Sequence, residues 1–314
     1  MPVYNRETTV LRALRSCLSQ EHTSLEVIVI DDGSTDGTAQ TLASIEDPRV
    51  RVVTHPENRG VGAARNSGIA VAEGHWLVML DSDNELAPGA LHVLAGYTTG
   101  AAGDVGNVAT QCLWDDGRVT PGISLAQEVP MDCRQFLAWS DGLAKDRVEW
   151  FNCVRREVFE GTSYPDGRAH EGGLHLDLAS RWRFEIRPDV CLLYHQDVPG
   201  ITRATASGAV VTLLRDAPDQ RKEMDRILER HGEALRAWAP RRYASFLRSA
   251  SLYCYLVGAR RDGFARAKEA LRREPLDVRT VAITGLGLTN RTLLARVKVA
   301  WQRPPAWRTR SRRS

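Results

Sequence analysis

Two carboxylates one residue apart follow a short apolar run in the first third of the chain. The run Trp76–Leu80 (WLVML) predicts a buried strand, and Asp81-Ser82-Asp83 comes directly after it. Carboxylate oxygens delivered by a strand end are suitable ligands for Mg²⁺ or Mn²⁺, and such a cation can neutralise a diphosphate. Two aspartates at this spacing are also common in solvated turns, so the motif alone does not decide the function.

Two further polar segments follow apolar runs earlier in the chain. Pro2-Val3-Tyr4-Asn5 has the pattern of a strand end and its loop, and Asp31-Asp32-Gly33-Ser34 follows the run Leu25–Ile30 (LEVIVI). The ring of Tyr4 could stack on a nucleobase, and either aspartate could accept a hydrogen bond from a base or a ribose. Asp-Gly-Ser alone is a common turn and helix N-cap. The presence of all three segments at predicted strand ends favours a nucleotide site.

The elements expected around these segments alternate in type. We expect strands over 25–30, 49–54 and 76–80, and helices over 8–21, 35–45 and 62–72. This alternation predicts an α/β fold with a mainly parallel twisted sheet flanked by helices, in which ligands bind at the carboxyl ends of the strands. Since residue 1 lies near the end of the first strand, we expect that strand to be truncated.

The remainder of the chain is less regular. Residues 97–150 give no clear assignment, whereas 151–159 predicts a strand followed by a helix, 174–182 a helix and 190–194 a strand. Charged amphipathic helices follow residue 205. Pro218 suits the first turn of a helix to about residue 231, and 243–257 and 262–273 suit an antiparallel helix pair. We therefore expect a domain over 1–205, a helical extension over 206–302 and a basic, disordered tail over 303–314.

The segments PVYNRE, VIVIDDGSTDGT, NRGVGAARNSGI and LVMLDSD, in that order over residues 1–84, resemble the nucleotide-binding half of family-2 glycosyltransferases. The resemblance implies a GT-A fold, a nucleotide-diphosphate sugar donor with UDP favoured, and Mg²⁺ or Mn²⁺. It assigns Asp83 to the metal. The nucleotide-sugar site that it implies consists of Pro2, Val3, Tyr4, Asp31, Asp32, Arg65, Asp81 and Ser82.

A weaker part of the resemblance concerns the acceptor side. His170-Glu171 stands where family members usually carry Glu-Asp, so Glu171 is implied as the general base of a direct, inverting displacement. His195 stands where the family often has a residue near the diphosphate, and it is implied as a second metal ligand. A lone histidine at a strand end is about as often structural.

Several other interpretations can be compared with this one. The glycine pattern at 60–65 carries Arg65 where a dinucleotide-binding motif needs its third glycine. The histidines of 170–175 are five residues apart, which is wrong for a zinc protease, and the glycine pair 172–173 argues against a helix there. A sugar nucleotidyltransferase would need a glycine-rich loop in place of PVYNRE. A catalytically degenerate protein that binds a nucleotide or a partner remains the alternative.

Charge and composition restrict the partners. The 314 residues contain no apolar run long enough to span a bilayer and no signal-peptide pattern, so a cytoplasmic protein is the default expectation. Nine basic residues and no acidic ones follow Asp277, and the rest of the chain carries 3 − 9 = −6. The segment 293–301 (LLARVKVAW) mixes apolar and basic residues, which suits peripheral contact with an anionic membrane. Sparse aromatic residues disfavour nucleic acid. By analogy with the family, the acceptor is a saccharide or a lipid-linked sugar of the bacterial envelope.

Overall fold

The chain divides into two compact units in a computed structural model. The structure describes residues 1–21, 24–122, 130–143, 149–165, 172–196 and 206–302. The first unit is Met1–Gln196 and the second is Asp197–Ser314. The domain boundary expected near residue 205 and the basic tail expected over 303–314 both lie outside the described residues.

The first unit begins with the predicted alternation of strands and helices. Three strands form a parallel sheet in the order β1-β2-β3, and each is followed by a helix. Apolar residues occupy nearly every position of β2 (VIVID), as expected of a strand that is covered on both faces. The elements are β1 (Pro2–Val3), α1 (Val10–Leu18), β2 (Val27–Asp31), α2 (Thr38–Ala43), β3 (Val50–Thr54) and α3 (Val61–Val71).

A second sheet follows in the same unit, with the order β4-β8-β6-β9-β5 and β7 paired to β6. Its neighbouring strands are antiparallel except for the parallel pair of β6 and β9. The strands are β4 (Trp76–Val78), β5 (Glu85–Leu86), β6 (Val105–Trp114), β7 (Val119–Thr120), β8 (Trp150–Arg155) and β9 (Arg183–Tyr194).

The expected fold class is therefore confirmed, but the expectation of a mainly parallel sheet holds only for the first sheet. The antiparallel pairing was not predicted because residues 97–150, which gave no clear assignment, contain β6, the central strand of the second sheet. Its sequence VGNVATQCLW carries small and polar residues at positions that are nearly all buried. Neither alternation nor a continuous apolar run identifies such a strand.

Among its described residues, the first unit has four further short helical elements. They are α4 (Ala90–Thr99), α5 (Cys133–Gly142), a 3₁₀ turn (Arg156–Phe159) and α6 (Gly172–Ala179). Asp132 and Gln135 form a capping box at the start of α5. Helix α6 begins at the glycine pair, so the expectation that this pair excludes a helix was wrong. Buried leucines at 174, 176 and 178 provide packing that outweighs the low helix propensity of glycine.

One core lies beneath both sheets of the first unit. Val3 of β1, Val29 of β2, Leu80 after β4 and Val108 of β6 belong to a single cluster of buried residues. Full burial of one such side chain contributes about 1.5–3 kcal/mol relative to exposure. This core therefore fixes the strand ends that carry the predicted site.

The second unit is helical. Its helices are α7 (Ala206–Trp238), α8 (Pro240–Leu256), α9 (Arg260–Arg273), α10 (Val278–Thr289) and α11 (Arg291–Gln302). The expected pair is present as α8 and α9. Pro218, expected in a first turn, instead lies inside α7, because that helix begins twelve residues earlier. Within the described residues, none of the helices has the length and apolarity needed to cross a bilayer.

Candidate active site

The loops after β1 and β2 are hydrogen-bonded to each other. The Asn5 amide donates to Ser34 Oγ at 3.0 Å, and the Thr35 amide donates to Asn5 Oδ1 at 2.8 Å. Asn5 has φ +52°, a left-handed conformation that asparagine tolerates better than most residues. The neighbouring Tyr4 side chain is 41% exposed. The sequence thus forms a fixed loop that presents an aromatic ring to solvent.

Both aspartates at the end of β2 are almost fully buried, each 2% exposed. Asp31 Oδ1 accepts a hydrogen bond from the Ser34 amide at 3.0 Å, which closes the turn. Asp32 accepts hydrogen bonds from the amides of Arg59 and Gly60, the latter at 2.8 Å. The Asp32 carboxylate therefore anchors the loop that leads into α3.

His55, directly after β3, completes this anchor. Its Nδ1 lies 2.6 Å from Asp32 Oδ1, and its Nε2 lies 2.9 Å from Ser67 Oγ on α3. The order carboxylate, imidazole, hydroxyl is the order of a hydrolase triad. Here, however, the imidazole is buried between two strand ends and a helix. The arrangement suits the fixing of Asp32 better than attack on a substrate.

Asp81 and Asp83 lie after β4, among arginines from three other segments. Arg65 of α3 donates to Asp81 Oδ1 at 2.7 Å. Arg6 Nη2 lies 3.7 Å from Asp83 Oδ2, and Arg12 of α1 donates to the Asp83 carbonyl at 2.6 Å. Burial raises the pKa of Asp83, and the neighbouring charge of Asp81 raises it further. A dianionic pair at this position is therefore electrostatically costly without cations.

This pair is chemically suited to a hard divalent cation. Carboxylate oxygens are the ligands that Mg²⁺ and Mn²⁺ take, and a cation relieves the repulsion that raises the pKa of Asp83. In the described part of the chain, no group of three or more His, Cys, Asp or Glu side chains is arranged to hold a metal. A cation at Asp81 and Asp83 would thus need further oxygens from a substrate or from water.

His195 lies near this region but is engaged elsewhere. Its Nε2 is 2.7 Å from Glu85 Oε1, its Nδ1 is 2.9 Å from Asp115 Oδ1, and its amide donates to Asn84. Arg12 Nε lies 3.6 Å from the same Glu85 oxygen. Both ring nitrogens of His195 contact carboxylates, so metal ligation would require one of these contacts to break.

The other predicted residues are positioned as follows. Pro2 and Val3 form β1; the Val3 side chain is buried in the core, and the Val3 carbonyl accepts a hydrogen bond from the Asp32 amide at 2.8 Å. Ser82, which lies between Asp81 and Asp83 in the sequence, is buried. Glu171 lies outside the described residues, directly before α6.

Five residues of this site were not predicted from the sequence. They are Arg6, Arg12, His55, Glu85 and Asp115. His55 and Arg6 each follow a strand end as the predicted residues do, so the strand-end argument applied more widely would have found them. Asp115 could not be found, because it follows β6, the strand that was not recognised.

Comparison with known proteins shows the family of this chain. Residues 1–160, about half of the chain, match the family model described as glycosyl transferase family 2. The chain belongs to this family. The family-2 resemblance expected from residues 1–84 is thereby confirmed and extends as far as the 3₁₀ turn after β8.

Curated relatives of this family-2 chain match it over its first part. The succinoglycan biosynthesis protein ExoO of Rhizobium meliloti is 48% identical over 85 residues, which are 27% of this chain and 24% of that protein. The chondroitin synthase of Escherichia coli is 38% identical over 95 residues, 30% of this chain and 14% of that protein. The matched stretch is thus about a quarter of the first relative and less of the second.

Solved structures share the fold across nearly the whole chain. TarS 1–349 of S. aureus covers 95% of this chain and 88% of its own, with 16% identity and a TM-score of 0.55. The mannosyltransferase PcManGT of Pyrobaculum calidifontis, solved with GDP-Man and Mn²⁺, covers 96% and 86%, with 20% identity and a TM-score of 0.53. The fold of this family-2 chain is GT-A.

Proposed function

We propose that this protein is an inverting glycosyltransferase that moves a sugar from a nucleotide-diphosphate donor to an acceptor hydroxyl. One observation carries the proposal. The Asp81 and Asp83 carboxylates lie together after β4, and Arg65 and Arg6 bring α3 and the loop after β1 to them. An anionic pair surrounded by arginines is suited to a diphosphate with its cation.

The donor's nucleoside would bind at the ends of β1 and β2. The exposed ring of Tyr4 offers a stacking surface, and it directly follows Pro2 and Val3 of β1, which would form the floor of the pocket. Asp31 and Asp32 would face a base or a ribose from beneath; both are 2% exposed, and Asp32 is already held by two amides and His55, so it would accept a ligand hydrogen bond only in place of one of these partners. A UDP-sugar is favoured by the family resemblance, and a GDP-sugar is the alternative that the PcManGT complex suggests.

Asp83, with Asp81, would hold Mg²⁺ or Mn²⁺, and Ser82 lies between them. A bound cation supplies charge neutralisation for the departing nucleoside diphosphate. Arg65 is positioned by its hydrogen bond to Asp81, and it would stabilise the negative charge of the diphosphate. His195 would join as a further ligand only after release from Glu85 or Asp115.

Glu171 would accept the proton of the acceptor hydroxyl as that oxygen attacks the anomeric carbon. A single displacement inverts the configuration at this carbon. The acceptor would be a saccharide or a lipid-linked sugar in bacterial polysaccharide or glycolipid assembly. The succinoglycan name of one relative supports this acceptor class.

Donor turnover tests the proposal. Glu171→Gln should abolish hydrolysis and transfer of the donor sugar while nucleotide binding persists, whereas Asp83→Asn should lose both. Asp104→Asn, an exposed aspartate elsewhere in the unit, is the matched control. Metal-dependent nucleotide binding with no turnover in the parent protein, for any donor and acceptor, would instead favour the catalytically degenerate binder.

A further inference from the structure

Exposed apolar residues are concentrated in the last two helices of the second unit. In the described part of the chain, six of the eleven exposed large hydrophobic residues lie between 276 and 301. Leu276 is 93% exposed and Val278 is 76% exposed. We call this set the α10–α11 surface; its apolar members are Leu276, Val278, Val281, Leu288, Leu293 and Trp301.

These residues are not required by the core of the unit. On α10, positions 278, 281 and 288 recur at helical spacing on one face, while Ile283 and Gly287 are buried on the other. On α11, Leu294 is buried in the core cluster of the unit and Leu293 is exposed. Each helix therefore packs with one face and leaves a second apolar face uncovered.

Positive charge accompanies this apolar surface. Arg279, Arg291 and Arg296 are exposed on the same two helices. On α11, Leu293, Arg296 and Ala300 follow each other at helical spacing and are all exposed. From residue 278 to the end, the sequence contains nine basic residues and no acidic one. The two helices thus carry exposed apolar and exposed basic side chains, and on α11 Arg296 shares a face with Leu293.

We infer that the α10–α11 surface docks on an anionic lipid bilayer. Apolar side chains next to arginines are the features by which a helix lies in a membrane interface, and tryptophan is favoured at that depth. The same surface of a second copy is a poorer occupant, because it would bring the same positive charge to the contact. This inference adds a partner to the proposed function and does not depend on it.

Vesicle co-sedimentation of the full chain tests the inference. The protein should sediment with vesicles containing phosphatidylglycerol, should not sediment with pure phosphatidylcholine, and should be released by high salt. Substitution of Arg279, Arg291 and Arg296 by glutamine should weaken binding about a hundredfold, given about 1 kcal/mol per basic residue near an anionic surface.

An apolar variant separates insertion from simple charge attraction. Serine at Val281, Leu288 and Leu293 keeps every charge, and it should weaken binding at least about tenfold because less apolar area is buried. The control is Phe264→Ser, an exposed apolar residue of α9 in the same unit, which should bind as the parent does. All variants alter exposed positions, so their thermal unfolding should match that of the parent.

Three outcomes would overturn the inference. These are no binding to anionic vesicles, equal binding to neutral ones, or unchanged binding in both triple variants. Self-association of the parent that the serine variant abolishes would assign the surface to a second copy instead. Donor turnover with a water-soluble acceptor is measured in parallel, so failure of membrane binding and failure of the proposed enzyme are distinguished.

Discussion

At the scale of single residues, the Asp32 carboxylate shows how the site is built. It accepts bonds from two backbone amides of the loop before α3 and lies 2.6 Å from His55. A buried carboxylate is stable only when its oxygens are paired, so these partners determine where it points. His55 is in turn fixed by Ser67. We regard His55 as a positioning residue for the predicted base pocket.

His55→Ala should therefore lower stability by about 1–3 kcal/mol, since it removes one partner of a buried carboxylate. It should also raise the KM for the donor more than it lowers kcat. His55→Asn retains a hydrogen-bond donor near the position of Nδ1. Its KM for the nucleotide sugar should therefore be closer to that of the parent. The measurements are thermal unfolding and donor kinetics.

His92→Ala, at an exposed histidine of α4, is the control for the loss of an imidazole and should change neither quantity. A fall in stability with an unchanged KM in His55→Ala would mean that the contact is merely structural.

At the scale of elements, the helical unit depends on close packing around one ring. Tyr255 of α8 is buried, and a Cβ added at Gly287 of α10 would overlap its ring. A Cβ at Gly285, two residues earlier on the same helix, would meet nothing. The two glycines therefore differ in packing although they share a helix.

Gly287→Ala should destabilise the protein by about 1–3 kcal/mol, because overpacking forces the ring or the helix to move. Gly285→Ala is the matched control and should stabilise it by up to about 1 kcal/mol, because alanine favours the helix. Chemical denaturation followed by circular dichroism measures both. Equal effects of the two substitutions would contradict the packing of α10 on Tyr255.

The start of α10 depends on Asp277. This side chain accepts hydrogen bonds from the Arg279 amide at 3.1 Å, Thr280 Oγ1 at 2.6 Å and Arg248 at 2.5 Å. Burial alone would raise the pKa of Asp277, but the bonds from Thr280 and Arg248 outweigh burial and hold the pKa below its usual value. The folded state therefore favours the charged form.

Asp277→Ala should cost about 1–2 kcal/mol near neutral pH, as expected for the loss of an N-cap. A lowered folded-state pKa stabilises the fold above the unfolded value and loses that contribution as pH falls through the folded value. The difference from the parent should therefore shrink below about pH 4, the ordinary pKa of aspartate. Urea denaturation across pH measures it.

Glu233→Ala, at an exposed position of α7, should show no such pH-dependent difference. If Asp277→Ala lowers the free energy of unfolding by the same amount at acid pH as at neutral pH, the charged Asp277 side chain does not act as the cap.

The elements also show what the sequence could and could not predict. Apolar runs that end at Asp31 and near Asp81 identified β2 and β4, because buried parallel strands and their loops have a simple pattern. Strand β6 has no such pattern, so the direction of the second sheet was missed. Pro218 was misplaced because proline is compatible with a helix start, and only the residues before it show that the helix has already begun.

At the scale of the whole molecule, the candidate donor residues all lie in the first compact unit. We therefore expect a nucleoside diphosphate with Mn²⁺ to slow hydrogen exchange within residues 1–196, most strongly in the loops at 4–7, 31–35, 57–60 and 81–84. Exchange mass spectrometry with and without ligand measures this. Slower exchange in α7–α11, without any change in these loops, would place the ligand site in the second unit.

The site itself was predictable only in part from the sequence. The strand-end rule and the family motif predict Tyr4, Asp32, Asp81 and Asp83 as site residues, because these signals are local in sequence, and their roles stay predictions. The contacts of His195 with Glu85 and Asp115 join three distant segments of the second sheet. No local pattern records such contacts, so the assignment of His195 as a metal ligand remains a prediction that the geometry does not favour.

Thermal unfolding with a panel of nucleoside diphosphates tests whether Asp81 and Asp83 form a metal-assisted nucleotide site. With Mn²⁺ and one diphosphate at a hundredfold excess over its dissociation constant, the protein should gain about 2.7 kcal/mol of stability. This gain should vanish without the metal and in Asp83→Asn, and it should persist in Asp104→Asn. No gain with any diphosphate, or an equal gain in Asp83→Asn, would mean that this pair does not hold the metal and the nucleotide.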